Sequence, residues 1–285
     1  RQGDLQASLV TTNGSGGGMP AANSSSISVT IDGRVATVHF DRGFRANPLS
    51  VQAMHELTEA ARQFHECPEI SAVVLAGRTD GFSMGMDLKD PALSALRQQG
   101  LAQRRLSLRA GPQLCEAWEK VDAITICAIE GWCAGGGAAL AVSCDLRVMG
   151  ESAVFYVPEV ERGMNMTWGS VPRIAALVGP ARAKRIAALC EKIDAQTAMS
   201  WGLADQVCVD TQAAQTALSI ATQAALLPPT AMKMVKHDVN LASHALHRAT
   251  AYRDLEGFAL LEKSEDFAEG VDAFLNQRDA RYTGN

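Results

Sequence analysis

The chain has 285 residues, and 26 Lys and Arg against 31 Asp and Glu give it a formal net charge of −5. Its 47% hydrophobic content is typical of a globular protein with one large domain or two smaller ones, which excludes wholesale disorder. No apolar run reaches the roughly 20 residues of a membrane-spanning helix, and the acidic balance disfavours a nucleic-acid surface. We therefore expect neither a membrane nor a nucleic acid as a partner.

The first residues differ in composition from the rest. Residues 1–18 end in a glycine-rich run and lack the apolar segment of a signal peptide. We expect residues 1–18 to be a nonnative leader and residues 19–26 a flexible tail. The remainder is predicted to form an α/β core over 27–220 and a helical C-terminal region over 221–285.

The elements follow in chain order. Residues 27–31 and 35–40 alternate apolar and polar side chains around an Asp-Gly pair, which predicts a β-hairpin. Residues 51–64 have helical spacing after Ser50, a candidate N-cap. The later predicted elements are buried strands at 70–76 and 124–129, helices at 93–121 and 138–143, short strands at 146–149 and 154–156, and helices from about residue 168 onwards. Strands and helices that alternate before an all-helical end indicate an α/β fold.

Two glycine-rich segments each follow a buried strand, at 82–88 and at 131–137. Glycine allows a ligand to approach the backbone closely, and the start of the following helix offers free N–H groups. Two such loops facing each other would place a pair of backbone donors for a developing oxyanion. Neither loop has the pattern of a phosphate-binding loop, and tight strand–helix turns are the alternative interpretation.

An ordered set of motifs resembles the enoyl-CoA hydratase/isomerase (crotonase) superfamily. Its segments are FSMGMDLK at 82–89, GWCAGGG at 131–137 with Cys-Asp at 144–145, Pro-Glu at 158–159, GPARA at 179–183, WGLA at 201–204 and SEDF at 264–267. The resemblance implies a spiral of ββα units whose C-terminal helices build a homotrimer or a dimer of trimers. It also implies an acyl-CoA thioester substrate, with coenzyme A as part of the substrate, no separate cofactor and no metal.

Carried over position by position, the resemblance assigns the oxyanion donors to the backbone N–H groups of Met86 and Gly136, and the acid/base to Glu159. The hydratases of the family have a second glutamate where this chain has Ala139. A single carboxylate suits the transfer of a proton between two carbons of an enolate, so we expect double-bond isomerisation.

Other functions stay open. Glu161 or a residue near 164–168 is a candidate second group for a hydratase, because an extended segment would place Glu161 on the same face as Glu159. The favoured interpretation of Glu161 is a solvated or ion-paired charge beside Arg162. Decarboxylation, C–C cleavage or catalytically silent acyl-CoA binding are the further alternatives.

The resemblance also indicates residues that bind coenzyme A or the acyl group. Arg45 is a candidate cation for the anionic nucleotide, and the backbone of Ser83 and Met84 is expected along the adenine and pantetheine channel. Weaker cationic candidates are Lys89, Lys236 and Arg278. The remaining candidates for this binding site are Asp87, Leu88, Gly135 and Trp168.

The cysteines and histidines indicate no further chemistry. Seven cysteines without a CxxC pair predict free, mostly buried thiols, as in a cytoplasmic protein. The six histidines show no metal-binding spacing beside a carboxylate, and His244 and His247 are expected to be solvated on an exposed helix.

Overall fold

The computed structural model describes residues 25–97, 99–245 and 247–285. The expected leader at 1–18 and most of the expected tail at 19–26 lie outside these residues. None of the described helices is both long enough and apolar enough to cross a bilayer.

Nine strands form two sheets in the described part of the chain. The strands are β1 (Ile27–Asp32), β2 (Val35–Phe40), β3 (Ala72–Ala76), β4 (Ile124–Ile129), β5 (Trp132–Ala134), β6 (Leu146–Gly150), β7 (Val154–Tyr156), β8 (Ile193–Asp194) and β9 (Gln206–Cys208). The larger sheet has the order β1-β2-β3-β4-β6-β9, and the smaller has the order β5-β7-β8. The first pair is an antiparallel hairpin and the rest of the larger sheet is parallel.

The helices follow the strands in the alternation that the sequence predicts. They are α1 (Val51–His65), α2 (Pro91–Arg97), α3 (Leu101–Ser107), α4 (Ala110–Glu119), α5 (Gly136–Ala141), α6 (Ser170–Val178), α7 (Pro180–Ala187), α8 (Ala195–Trp201), α9 (Ala213–Ala225), α10 (Pro229–Ser243), α11 (His247–Leu261) and α12 (Glu265–Leu275). A short 3₁₀ turn spans Val160–Arg162. The boundary expected between residues 220 and 221 falls inside α9.

Local sequence accounts for several of these elements. Gly33 takes a positive φ of 57° in the turn between β1 and β2, a conformation that glycine adopts without strain. Ser50 caps α1, since its hydroxyl accepts a hydrogen bond from Ala53 N at 3.1 Å. Both agree with the predictions from the sequence.

The hydrophobic core has two parts, one on each face of the larger sheet. The main core joins the sheets and α1, α4 and α5, and its largest fully buried side chains include Phe40, Phe64, Phe82 and Trp118. The second lies under α9, whose alanines permit close packing on the sheet. Six of the seven cysteines are buried free thiols, as predicted, and Cys208 is half-buried.

Two cations suggested for the nucleotide are engaged elsewhere. Lys236 is buried, where its Nζ lies 2.6 Å from an Asp145 oxygen and donates to Ala123 O at 2.7 Å. Arg278 pairs with Glu269 and Asp272. Lys236 therefore serves to anchor α10 to the sheet.

The expectation for His244 and His247 was wrong. Their rings stack with centroids 4.1 Å apart, and both residues are half-buried beside Glu119. No local pattern predicts this contact, because Glu119 lies more than a hundred residues upstream.

Candidate active site

The two glycine-rich segments lie side by side, joined by backbone hydrogen bonds. Ser83 N donates to Trp132 O at 3.0 Å, and Ala134 N donates to Ser83 O at 2.8 Å. Met86 also pairs with Leu49 as an isolated parallel bridge. These bonds hold the loop at 82–88 against the start of α5 and fix the distance between the two segments.

The predicted oxyanion donors face each other across this junction. A Cβ built on Gly136 would lie 3.4 Å from Met86 N, and one built on Gly85 would lie 2.8 Å from Gly136 N. Gly136 is the first residue of α5, so its N–H has no acceptor within the helix. Neither N–H donates a hydrogen bond to any other described residue. The two donors are thus adjacent and free to bind an oxygen.

Glu159 lies beside these donors, where the chain enters the 3₁₀ turn. Its Oε1 lies close to the backbone of Gly135. A Cβ atom built on that glycine would lie 2.9 Å from this oxygen. Its Oε2 is buried and has no hydrogen-bond partner among the described residues. Burial raises the pKa of Glu159 to about 7, well above the ordinary value of a carboxylic acid. A carboxyl group with such a pKa can both accept and donate a proton near neutral pH.

The position of the second family glutamate is apolar. Ala139 is fully buried in α5, and its carbonyl accepts a hydrogen bond from the Ser143 hydroxyl at 2.8 Å. The position of the second family glutamate therefore carries no carboxylate, as the sequence indicates.

Trp168 forms one wall of the site. It is buried with a positive φ of 62°, a strained conformation for a bulky residue. A Cβ on Gly111 would lie 1.9 Å from its ring, and one on Gly136 would lie 2.7 Å from it. Two glycines therefore make room for the indole beside an oxyanion donor.

These groups open on a largely apolar cavity. Of the predicted binding residues, it is lined by Met84, Met86, Leu88, Gly135 and Trp168, together with Gly136 and Glu159. Its other apolar walls are Val51, Met54, Leu93, Leu108, Met164, Met166, Leu255, Phe258, Phe267 and Val271. The arrangement suits a hydrophobic chain attached to a carbonyl group.

Three of the seven main candidates for binding lie outside this lining, as do the three weaker cationic candidates. Arg45 is exposed, and Ser83 is buried in the loop junction. The Asp87 carboxylate pairs with Arg42 at 3.1 Å and so links the loop at 82–88 to the segment before Ser50. The exposed Lys89 and Arg45 are left available to solvent on this side of the molecule.

The extended segment expected around Glu161 is a 3₁₀ turn, so the argument that this residue shares a face with Glu159 was wrong. Glu161 is exposed, and its carboxylate accepts a hydrogen bond from the Tyr156 hydroxyl.

Sequence reasoning missed the contribution of the C-terminal helices. Helices α11 and α12 bring Leu255, Phe258 and Phe267 onto the cavity, and Glu262 pairs there with Arg104 of α3. Asn165 also lines the cavity: its Nδ2 donates to Asp254 O at 3.1 Å, while its buried Oδ1 has no partner among the described residues. The helical periodicity of these segments predicts an apolar face on each helix. It does not predict which cavity that face lines.

Comparisons with known proteins bear on this site. The family model described as "Enoyl-CoA hydratase/isomerase" matches residues 30–285. The chain belongs to this family. The crotonase superfamily predicted from the motifs is thereby confirmed, as is its fold, and the protein is an acyl-CoA enzyme of that superfamily.

Individual relatives differ in the reaction that their names describe. A probable enoyl-CoA hydratase of Mycobacterium bovis is 28% identical over 260 residues, which are 90% of this chain and 97% of the relative. The 1,2-epoxyphenylacetyl-CoA isomerase of Escherichia coli is 29% identical over 261 residues, 88% of this chain and 95% of that protein. The crystal structure of carnitinyl-CoA hydratase from Mycobacterium avium superimposes with a TM-score of 0.81 at 29% identity, covering 92% of this chain and all of that one.

Proposed function

We propose that this enzyme isomerises the double bond of an enoyl-CoA, converting a 3-enoyl thioester into the conjugated 2-enoyl thioester. One observation carries the proposal: the carboxylate of Glu159, with its Oε2 buried, lies beside the two free backbone donors, while an alanine fills the position of the second family glutamate. A proton shuttle requires one group of this kind, whereas hydration requires groups that activate water and protonate carbon.

The proposed reaction begins with the ionised Glu159 carboxylate, which removes a proton from the α-carbon next to the thioester carbonyl. The electron pair of that C–H bond moves into a dienolate, and negative charge develops on the carbonyl oxygen. The same carboxyl group then returns the proton to the γ-carbon, which leaves the double bond conjugated with the carbonyl. No atom is gained or lost, and Glu159 ends in its starting form.

The N–H groups of Met86 and Gly136 would bind the oxygen that becomes negative. Backbone hydrogen bonds between the loop at 82–88 and residues 131–137 fix both N–H groups, so they need not reorganise during the reaction. Such a donor commonly contributes about 3 kcal/mol to stabilising the transition state. Trp168 and the apolar walls exclude water from the dienolate, which supports proton return to carbon over hydration.

The experiment offers 3-enoyl-CoA and 2-enoyl-CoA of several chain lengths to the wild type and to Glu159→Gln. We expect the wild type to convert 3-enoyl-CoA into 2-enoyl-CoA, and the variant to lose at least about a hundredfold in kcat, as expected for loss of a general base. Glu161→Gln is the matched control, because it removes an exposed carboxylate in the same turn and should keep its activity.

The results separate the alternatives. Robust hydration of 2-enoyl-CoA by the wild type would contradict the single-base mechanism. A Glu159→Gln variant as active as the wild type would remove this residue from the chemistry. Tight coenzyme A thioester binding without turnover of either substrate would identify a binding protein.

Hydration is the second candidate, because several similar relatives are hydratases by name. One further observation favours it: the unpartnered Oδ1 of Asn165 is an acceptor on the same cavity, where it would orient a water molecule. In that case Asn165→Leu should lower hydration of 2-enoyl-CoA far more than isomerisation of 3-enoyl-CoA.

A further inference from the structure

An ion pair between two helical segments forms part of the wall of the apolar cavity. Arg104 of α3 and Glu262, which directly follows α11, both line the cavity and pair with each other there. Their side chains are only 19% and 12% exposed. Because an ion pair that is largely removed from water adds little net stability, its position indicates a role other than stabilising the fold.

Helix α11 places Glu262 far from the reacting groups. Asp254 of this helix is hydrogen-bonded to the backbone beside Trp168, whose ring lies next to Gly136. Glu262 comes eight residues later, and its N–H still donates to Phe258 O at 2.8 Å in the helical pattern. At a rise of about 1.5 Å per residue, Glu262 therefore lies about 12 Å further along the helix axis than Asp254.

Helices α4 and α3 lead away from Trp168 to the same place. Gly111, at the start of α4, makes room for the Trp168 ring, and Arg104 comes seven residues earlier. Arg104, Ser107 and Leu108 have the three- and four-residue spacing of one helix face, and all three line the cavity. Both segments therefore run from Trp168 to the ion pair, which marks the far end of the cavity.

The ion pair also separates the cavity from the outer surface. A surface groove lies on its other side, where Leu275 is 52% exposed. Four residues line both the cavity and this groove, namely Arg104, Glu262, Phe267 and Val271. Phe267 packs edge-on against Phe258, with ring centroids 5.9 Å apart. Side chains that border both spaces form a partition between them, and the ion pair is the charged part of this partition.

A charged partition at the end of an apolar cavity disfavours long chains. Removing water from charged groups without replacing its hydrogen bonds costs free energy, so the methyl end of a chain should not displace water from Arg104 or Glu262. Carbon–carbon bonds of about 1.5 Å in a zigzag advance about 1.3 Å each, so a span of about 12 Å holds roughly ten carbons. A shorter chain would end among the apolar walls, which include Leu255 and Phe258.

We propose that the ion pair between Arg104 and Glu262 closes the far end of the cavity and selects thioesters with short and medium acyl chains. This inference rests on the proposed function, because it takes the acyl chain of the substrate to occupy this cavity. The pair touches no reacting atom, so the two residues determine specificity and take no part in the proton transfer at Glu159.

The test is isothermal titration calorimetry with saturated acyl-CoAs of ten and fourteen acyl carbons, below the concentration at which they form micelles. We expect the wild type to bind the ten-carbon thioester at least about tenfold more tightly, and Arg104→Ala or Glu262→Ala to lose most of this preference. Arg105→Ala is the matched control, because it removes an exposed arginine of α3 that does not line the cavity, and it should keep the preference.

An exchange of the two charges, Arg104→Glu combined with Glu262→Arg, separates the ion pair from general packing. The double variant should regain the preference for ten carbons, because it restores the pair in the opposite orientation. A double variant as unselective as the alanine variants would overturn the proposal, since packing and not the ion pair would then set the limit.

Equal affinity of the wild type for both thioesters also overturns the proposal, as does a preference that survives in both alanine variants. A wild-type preference for a chain that ends in a carboxylate, lost in Arg104→Ala, would identify Arg104 as a ligand and contradict the closure. Length-selective binding as expected, without isomerisation of any 3-enoyl-CoA, would support the closure and reject only the reaction proposed for Glu159.

Discussion

Glu159 occupies an environment that opposes its ionisation, since its Oε2 is buried with no partner and its pKa is raised to about 7. The proposed reaction starts from the ionised form, so kcat/KM should rise with pH and level off above about 7. The measurement is the pH profile of kcat/KM for 3-enoyl-CoA, from about pH 5 to 9. Glu161→Gln should keep this profile, while a profile that is flat across pH 7 would argue against Glu159 as the base.

The same residue should make the fold less stable as the pH rises. The folded state holds the Glu159 proton up to about pH 7, whereas the unfolded chain releases it near the ordinary glutamate pKa of 4.5. Stability is therefore lost between these two values as pH increases, by at most about 3 kcal/mol. Glu159→Gln removes this loss, so urea unfolding should find the variant more stable than the wild type at pH 8 but not at pH 4. An equal difference in the free energy of unfolding between Glu159→Gln and the wild type at pH 4 and pH 8 would contradict a raised pKa of Glu159.

Gly135 connects backbone conformation to the position of this carboxylate. It has a φ of 53° and a ψ of −121°, which side chains disfavour, and a Cβ would meet Glu159 Oε1 at 2.9 Å. We expect Gly135→Ala to lower kcat by at least about tenfold, since misplacing a catalytic group by about 1 Å can cost a hundredfold. Gly179→Ala is the control, because Gly179 has a φ of 81° but open space around it. The Gly179→Ala variant should lose stability and keep its kcat. An equal loss of kcat in Gly135→Ala and Gly179→Ala would mean that backbone strain at positive φ, and not the position of Glu159, lowers kcat.

At the scale of elements, the sequence predicted what depends on local patterns. The Asp-Gly turn predicted the hairpin of β1 and β2, and Ser50 predicted the start of α1. The two glycine loops were predicted at the site because their residues follow buried strands. The 3₁₀ turn after Glu159 was not predicted, since its three residues have no periodicity. Glu161 is exposed, as its interpretation as a solvated charge predicted, and only the alternative that required an extended segment was wrong.

Helix α11 is joined to the wall of the active site by one buried carboxylate. Asp254 Oδ2 accepts a hydrogen bond from Gly169 N at 2.9 Å, next to the strained Trp168. Burial raises the pKa of Asp254 to about 6, so its ionised form is costly yet is held by this bond. We expect Asp254→Ala to destabilise the protein by about 1–3 kcal/mol and to raise KM, because Gly169 N loses its acceptor.

Asp254→Asn should be milder, since an amide oxygen can still accept from Gly169 N. Asp238→Ala, which removes an exposed aspartate of α10, should change neither quantity. Chemical denaturation and steady-state kinetics of the three variants check this prediction. If Asp254→Ala left both stability and KM unchanged, as expected for Asp238→Ala, the hydrogen bond to Gly169 N would not stabilise the wall around Trp168.

At the scale of the whole molecule, the apolar cavity beside Glu159 is lined by parts of the chain that no local pattern relates. Its walls combine the loop at 82–88, the start of α4, the segment around Trp168 and the helices α11 and α12. Motif resemblance pointed to Met86, Gly136 and Glu159 because these residues lie in short loops that match the family's motifs, and the structure brings them together. It could not show that Gly111 makes room for Trp168, or that Glu119 meets two C-terminal histidines, because those contacts depend on tertiary packing.

The outer face of α10 bears on assembly, for which the resemblance implies a homotrimer or a dimer of trimers. Val235 and Val239, one helical turn apart, are exposed together with the neighbouring Met234 and Leu227. A stripe of this kind is typical of an interface between chains.

We expect light scattering after size-exclusion chromatography to give about three or six times the chain mass of 30.3 kDa. Val235→Glu should shift the protein towards monomer, whereas Leu189→Glu, at an exposed leucine elsewhere, should not. A wild-type monomer, or a Val235→Glu variant with unchanged mass, would contradict the use of this face for assembly.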